Sequence, residues 1–347
     1  HNYIRSFARH NGLKWIKSLS LLDEDVLHEH RREELYRWFL FVKDIATSST
    51  LNESSLAGTN VTIMDCGDTP EETEETAKTL TTKYEKLGAN VKYINLREKN
   101  IKGCIACFGC YTNNKCIIKD DFEAITKEVY DNTDLIVFVS GVNYNQFSTN
   151  YKYFLDRHVK FGRYGQDLEL TRAYVYCGDM DPQDYAELEQ HTLVVDSLDG
   201  DLHVGIYEGN EEGIEKAVVE TAFACIHDLY PQRNTYSAGL GMQFANLAYR
   251  LQKMTPNDYN YFKSHGYYEM PQIIQQVKPI GGLEDGRMSC KMRLIAFEEM
   301  LSKLDGPPKL TKRGERSKFN HMIGSKDPLT SDKDAKEKKG FSLFKKK

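Results

Sequence analysis

The chain reads as an α/β protein built on a doubly wound parallel sheet, and three observations lead there. Short β-prone runs recur with stretches of helix-forming residues between them. One run, Asp134-Leu135-Ile136-Val137-Phe138-Val139-Ser140, is apolar nearly throughout, the composition of a strand covered on both faces. The early runs are punctuated by turn residues, Gly67-Asp68-Thr69-Pro70 after one and Gly88-Ala89-Asn90 before the next. Strands alternating with helices in this way are the signature of crossover connections.

In order, residues 1–48 read as mostly helical and 49–58, polar and serine-rich apart from two leucines, as a linker. The first strand is Val61 to Cys66. A helix follows from Glu71 to Leu87, with Ala77, Leu80 and Leu87 at helical spacing. The second strand is Val91 to Leu96, and a cysteine-rich loop leaves its carboxyl end. Then come a helix from about Asp121 to Tyr130, the apolar strand, further strands at Arg172 to Cys177 and Leu202 to Tyr207, and a helix from Glu211 to Leu229. Past about Lys309 the residues are Lys, Asp and Ser with few large apolar side chains, the composition of a disordered, solvated tail. The expected organisation is therefore a helical segment and linker over 1–57, the sheet domain over 58–232, a helical extension over 233–303 and a basic tail over 304–347.

The composition narrows the function classes. The chain has 347 residues, 40% of them hydrophobic, and a net charge of −5, which suits one sizeable α/β core with appendages or two small domains. Its aromatic residues are scattered, so no nucleic-acid platform is expected. The longest early apolar run, Leu35 to Val42, is too short for a bilayer and contains Arg37, so no membrane span is expected. Residue 1 is His with no signal-like core after it, and the reading is a cytoplasmic protein, with an upstream targeting segment left open. Eight cysteines, half of them in one loop, are unlike a secreted disulfide framework.

Those clustered cysteines carry the chemistry. Cys104, Cys107, Cys110 and Cys116 form a Cys-x2-Cys-x2-Cys run with a fourth residue close behind, and Gly109 permits a tight turn. Soft thiolates at this spacing suit a [4Fe-4S] cluster. Zinc more often takes two separated pairs, and thiols that bind no metal remain a third reading. Cys66, Cys177, Cys225 and Cys290 read as ordinary packed side chains. The His28-Glu29-His30 triplet lacks the spacing that sets two imidazoles on one helical face.

The stretch from Lys99 through Cys104 to Cys116-Ile117-Ile118-Lys119-Asp120-Asp121-Phe122 resembles the compact cysteine motif of the iron-sulfur flavoproteins and related NAD(P)H-dependent FMN reductases. A second match is Ser140-Gly141-Val142-Asn143-Tyr144-Asn145 to Ser148, followed by Lys152-Tyr153-Phe154-Leu155-Asp156-Arg157, similar to the family's flavin loop and its following helix. The resemblance runs from about residue 60 to 265, with a weaker match at Asp258 to Gly266. It implies a flavodoxin-like five-stranded sheet, FMN and a [4Fe-4S] cluster as cofactors, NAD(P)H as a candidate electron donor, and a redox partner protein or small-molecule acceptor. By this resemblance Gly67, Asp68, Thr69, Thr73, Thr76, Gly141, Val142, Asn143, Tyr144 and Asn145 would hold the flavin, and Cys104, Cys107, Cys110 and Cys116 the metal. Phe7 to Trp15 also resembles a late segment of the family, so residues 1–57 are either the tail of a preceding flavodoxin-like unit or an unrelated amphipathic helix.

Two departures stand out. Where the family carries a Ser- and Gly-rich phosphate turn, this chain has Gly67-Asp68-Thr69-Pro70-Glu71-Glu72-Thr73-Glu74-Glu75-Thr76, with three threonines as donors, five carboxylates and no basic residue. Gly141 and Asn143 replace the family's Pro and Tyr. Three functions follow: an FMN- and iron-sulfur-dependent electron-transfer protein, an FMN reductase of quinones, nitro compounds or flavin without a cluster, or a module that has lost FMN. Because the cysteine loop follows the second strand and the Gly141 loop the third, both are expected on one sheet edge, with Tyr144, Phe147 and Tyr151 as an aromatic surface for a homo-oligomer.

Overall fold

The structure, a computed structural model, describes residues 29–107, 109–110, 115–162, 170–196, 202–229, 245–264, 268 and 307–311. Five parallel strands form the sheet: β1 (Asn60–Asp65), β2 (Asn90–Asn95), β3 (Leu135–Asn143), β5 (Thr171–Cys177) and β6 (Leu202–Glu208). Their order is β2-β1-β3-β5-β6, and a two-residue strand, β4 (Gln146–Phe147), pairs antiparallel with β3. This is the flavodoxin-like order, in which the chain reverses direction across the sheet between β1 and β3.

The side-chain alternation of the strands explains the layers. Met64, Phe138 and Tyr174 face one side, where Phe122 of α3 (Phe122–Asn132) and Phe154 of α4 (Thr149–Gly162) meet them. Ile63, Val137 and Val175 face the other, covered by Leu80 and Tyr84 of α2 (Pro70–Lys86) and by Ala217 and Val218 of α6 (Glu211–Ile226). Fully burying an aromatic or large aliphatic side chain contributes about 1.5–3 kcal/mol, so these two clusters hold the sheet between its helices. The buried hydroxyls of Tyr84 and Thr221 meet at 2.7 Å and fasten α2 to α6. Strand β2 is an edge of the sheet and is exposed at Asn90, Lys92 and Tyr93, whereas β1 and β3 are buried almost end to end.

Several elements depart from the expectations. The 49–58 segment is docked rather than free: Leu56 is buried against the α2 face and its amide donates to the Leu87 carbonyl at 2.8 Å. The two leucines that interrupt its polar composition do the anchoring. Residues 307–311, expected within the tail, meet the helix α1 (Glu29–Ala46), where the Thr311 amide donates to Glu33 at 2.7 Å. A helix that the reading did not contain, α5 (Pro182–Asp196), starts at Asp181, whose carboxylate accepts from the amides of Gln183 and Asp184. Strand β3 runs on through Gly141, Val142 and Asn143, so the expected flavin loop is the end of a strand and a tight hairpin. Tyr144 and Asn145, at φ of 51° and 59°, form the two-residue turn into β4, the pattern of a type I′ hairpin.

Helix α7 (Pro256–Ser264) covers most of the weaker late match; His265 and Gly266 lie outside the described residues, as do Phe7 to Trp15 and Cys290. No helix among the described residues is long and apolar enough to cross a membrane.

Candidate functional site at the carboxyl edge of the sheet

Because β1, β2 and β3 are parallel and adjacent, the segments that leave them open on one edge. The turn after β1 is built around Asp65, the last residue of that strand and fully buried. Arg97, just past the end of β2, grips it with both terminal nitrogens, Nη1 to Oδ1 at 2.8 Å and Nη2 to Oδ2 at 2.7 Å. The Tyr93 hydroxyl donates to Oδ2 at 2.7 Å, the Thr73 hydroxyl to Oδ1 at 2.5 Å and the Gly67 amide to Oδ1 at 3.2 Å. Burial works against the charged carboxyl, but these hydrogen bonds, led by Arg97, outweigh it and hold Asp65 below the usual carboxylate range. For Tyr93, burial and the neighbouring carboxylate push its ionisation well up.

The absence of a basic residue from the turn's sequence is therefore corrected by the fold. Arg97 lies against the turn and also donates to the Gly67 and Thr69 carbonyls, each at 3.3 Å. Sequence reasoning missed it because it comes from the turn that follows another strand. The available signal was its place one step beyond a strand predicted to neighbour the first.

Further donors of the turn are engaged within the chain. Glu72 folds back so that its Oε2 accepts from the Asp68 amide at 2.9 Å. Glu71 is held below its ordinary range by hydrogen bonds from its own amide and from the Thr69 hydroxyl. Asp68 accepts from the Thr149 and Asn150 amides, each at 3.1 Å, and so caps α4. The expected threonine donors serve the chain itself: Thr73 bonds Asp65, Thr76 bonds the Gly209 carbonyl at 3.4 Å, and Thr69 bonds Glu71. Two glycines fit this crowding. A Cβ on Gly67 would lie 2.1 Å from the Thr73 hydroxyl, and one on Gly141 would lie 2.6 Å from Oε2 of Glu72. A flavin phosphate does not fit this turn as it is folded, since the Thr73 hydroxyl, the Asp68 amide and Arg97 already bond carboxylates of the chain and Thr76 bonds a carbonyl.

Across the edge, Ser140 and Ser148 close the base of the hairpin with a 2.6 Å hydroxyl contact. Val142 is half-buried, Asn143 exposed, and Tyr144 almost completely exposed at 99%. The expected aromatic surface shrinks to that tyrosine. Phe147 and Tyr151 turn inward and pack around Tyr174, because β4 is short and the helix after it lays them on the core.

The cysteine loop is fixed at its base. The Asn100 amide donates to Asp121 and the Asp121 amide to the Asn100 carbonyl, at 2.8 and 3.0 Å. One step further in, Asp120 accepts from the Lys102 amide at 2.9 Å and from Arg157 at 2.5 Å. Arg157 lies 4.2 Å over the Phe122 ring. This explains why the two sequence motifs occur together, since the arginine that ends the second one grips the aspartate of the first. Burial opposes the Asp120 charge, but Arg157 and the two amides override it and keep the carboxyl below its usual range.

Above this clamp, Cys104 Sγ accepts from the Ala106 amide at 3.4 Å, with Ala106 at φ of 51°. Cys104 and Cys107 are exposed; Cys110 and Cys116 are half-buried. The donor chemistry suits a cluster, yet among the described residues no group of three or more Cys, His, Asp or Glu side chains is placed to hold a metal ion. Elsewhere, burial raises the thiols of Cys66, fully enclosed, and Cys177.

No family model matches the chain. An iron-sulfur flavoprotein of Archaeoglobus fulgidus is 26% identical over 109 residues, 29% of this chain and 47% of the relative, so the chain spans about half the length of that relative. Among solved structures, a flavone reductase aligns with 65% of this chain and 99% of its own at 10% identity and a TM-score of 0.38. A WrbA-like flavodoxin from Agrobacterium tumefaciens covers 49% of this chain and 98% of its own, at 14% identity and a TM-score of 0.33. An NADH:FMN oxidoreductase covers 52% and 94%, at 8% identity and a TM-score of 0.34. The fold rests on the strand order rather than on these distant likenesses, and in sequence the chain is similar to an iron-sulfur flavoprotein over the matched stretch.

Proposed function

We propose that the chain is a flavin-linked redox protein, taking its flavin at the carboxyl edge between the turn after β1 and the β3–β4 hairpin. The observation that carries this reading is the joining of both motif segments on one edge of a flavodoxin-order sheet. Asp68 ties the turn to the start of α4, and Arg157 of α4 ties that helix to the cysteine loop. In open α/β sheets, ligands bind outside the carboxyl ends of strands where the order reverses. The iron-sulfur flavoprotein relative points to the same chemistry.

The finer part of the proposal is that Cys104, Cys107, Cys110 and Cys116 hold a [4Fe-4S] cluster close to the flavin. NAD(P)H or a redox partner would supply electrons, and the protein would work as a homo-oligomer with Tyr144 at the contact. Anaerobic purification followed by iron, sulfide and flavin analysis tests it. A flavin-bearing protein that stays iron-free after reconstitution would reject the cluster, and one that takes up neither would reject the whole reading. A second reading, a flavin reductase without a cluster, is favoured by the dispersed thiols. It predicts activity that survives Cys104→Ser combined with Cys110→Ser.

A further inference from the structure

The turn after β1, where the proposed flavin would bring its phosphate, carries negative charge of the chain's own. The carboxylate of Glu72 lies between the two segments that frame the edge. On one side it accepts the Asp68 amide, and on the other it approaches Gly141 so closely that a β-carbon there would stand 2.6 Å away. One observation comes from the turn after β1 and one from the end of β3, and they place the same oxygen, Oε2, between the two segments.

The surroundings leave a phosphate little to bind. The helix α2 starts here, and an anion near a helix N-terminus is favoured; Glu71 and Glu72 are the acidic residues of its first turn. The cation of the turn, Arg97, is matched in a bidentate pair by Asp65. A phosphate ester carries about −1.5 to −2 charges at neutral pH, and here it would meet Glu71, Glu72 and Asp68 with no unmatched cation in the turn.

From this arrangement, and resting on the flavin reading above, we infer that the Glu72 carboxylate is an intramolecular stand-in for the flavin's phosphate. The edge then takes a flavin through its ring and ribityl chain, with no affinity drawn from a phosphate ester. FMN therefore binds no more tightly than riboflavin, and a gain for FMN appears only when Glu72 is removed. Gly141 belongs to the same device, because a side chain there would push the carboxylate out of the cleft.

The test has two arms, neither of which needs turnover. In the first, thermal unfolding of the wild-type protein and of Glu72→Ser is followed in inorganic phosphate and in chloride of equal ionic strength. The wild type should melt at the same temperature in both, and the variant should gain about 3 °C in phosphate. An equal gain in both proteins, or none in the variant, overturns the inference. In the second arm, dissociation constants for riboflavin and FMN are measured by flavin fluorescence. In the wild type FMN should bind no more tightly than riboflavin, and Glu72→Ser should tighten FMN by about tenfold while moving riboflavin by less than about twofold. Wild-type preference for FMN by tenfold or more, or an unchanged ratio in the variant, overturns the inference.

If neither flavin binds either protein while phosphate still stabilises only the variant, the flavin reading and the ordering of the two ligands fall together, and the occupancy by Glu72 stands. Should Glu72→Ser fail to fold, Glu72→Gln keeps an acceptor beside the Asp68 amide without the charge. It should show the same ordering with smaller gains, and no gain at all would overturn the inference.

Discussion

The turn after β1 and the loop after β2 use the same device to opposite ends. Each is organised by one arginine reaching from another element to one enclosed aspartate, Arg97 to Asp65 in the turn and Arg157 to Asp120 in the loop. In the turn, the pair sits at the centre and the Thr73 hydroxyl and the Gly67 and Asp68 amides are drawn onto carboxylates. In the loop, the pair sits at the base and the backbone ends are tied together beneath the cysteines. An ion pair in the middle of a loop fills it, whereas one at its neck holds it open. The geometry of the pair, more than its chemistry, separates a closed site from an available one.

The largest effect should come from breaking the central pair. Arg97→Met leaves Asp65 buried without its main partner, which should cost about 3–5 kcal/mol of stability in urea unfolding. A loss below about 1 kcal/mol would mean that the turn opens to water and that the pair is not central. Lowering the pH acts on the same group. Asp65 and Asp120 have folded values held below the ordinary carboxylate range, so their contributions are complete above the unfolded value of about 3.9. They are lost as the pH falls through the folded values. The acid limb of the stability curve should therefore be steep in the wild type and shallower in Arg97→Met, compared by circular dichroism as the pH falls through and below the unfolded value of about 3.9.

Breaking the neck should cost less. Arg157→Met leaves Asp120 with the Lys102 and Phe122 amides, so about 1.5–3 kcal/mol is expected, the scale of a hydrogen bond to a charged group. The signature is local: amide exchange at Lys102 should accelerate while that of the strand β1 changes only with global stability. Uniform acceleration would erase the distinction between neck and centre.

Smaller again is Gly67→Ala, which forces a methyl group onto the Thr73 hydroxyl and should cost about 1–3 kcal/mol by overpacking. Adding Thr73→Ala should recover part of that loss in a double-mutant cycle; simple additivity would show that the two side chains do not compete. The smallest change is a control that touches neither loop. Asn145→Gly relieves a positive φ in the hairpin turn and should raise stability by about 0.5 kcal/mol, read from the urea midpoint.

The sheet was largely legible because its strands carry their own pattern: an apolar run from Leu135 and short β-prone runs at Val61 and Val91 need no partner to be recognised. The helix α5 escaped because its apolar positions are irregular, although the Asp181-Pro182 start was visible. The cysteine positions were legible as a motif, but the clamp beneath them joins residues 37 positions apart. The occupied turn was the least legible part. Its acidity was plain in the sequence, yet which carboxylate faces which amide depends on Arg97 arriving from β2 and on Glu72 turning toward Gly141. Both are consequences of strand adjacency, which a linear pattern does not encode.

The neck of the cysteine loop has a further consequence for how the chain tolerates change. Asn100 and Asp121 meet at hydrogen-bond distance, so the twenty-one-position separation between them is bridged before the loop interior contributes anything. Closing a longer segment across fixed ends costs only about 0.6 kcal/mol for each doubling of its length. A segment of different length or composition, spliced between Gly103 and Lys119, should therefore be carried by the same scaffold. The neck makes this loop an exchangeable cassette, whereas the turn after β1 is welded into the domain it belongs to.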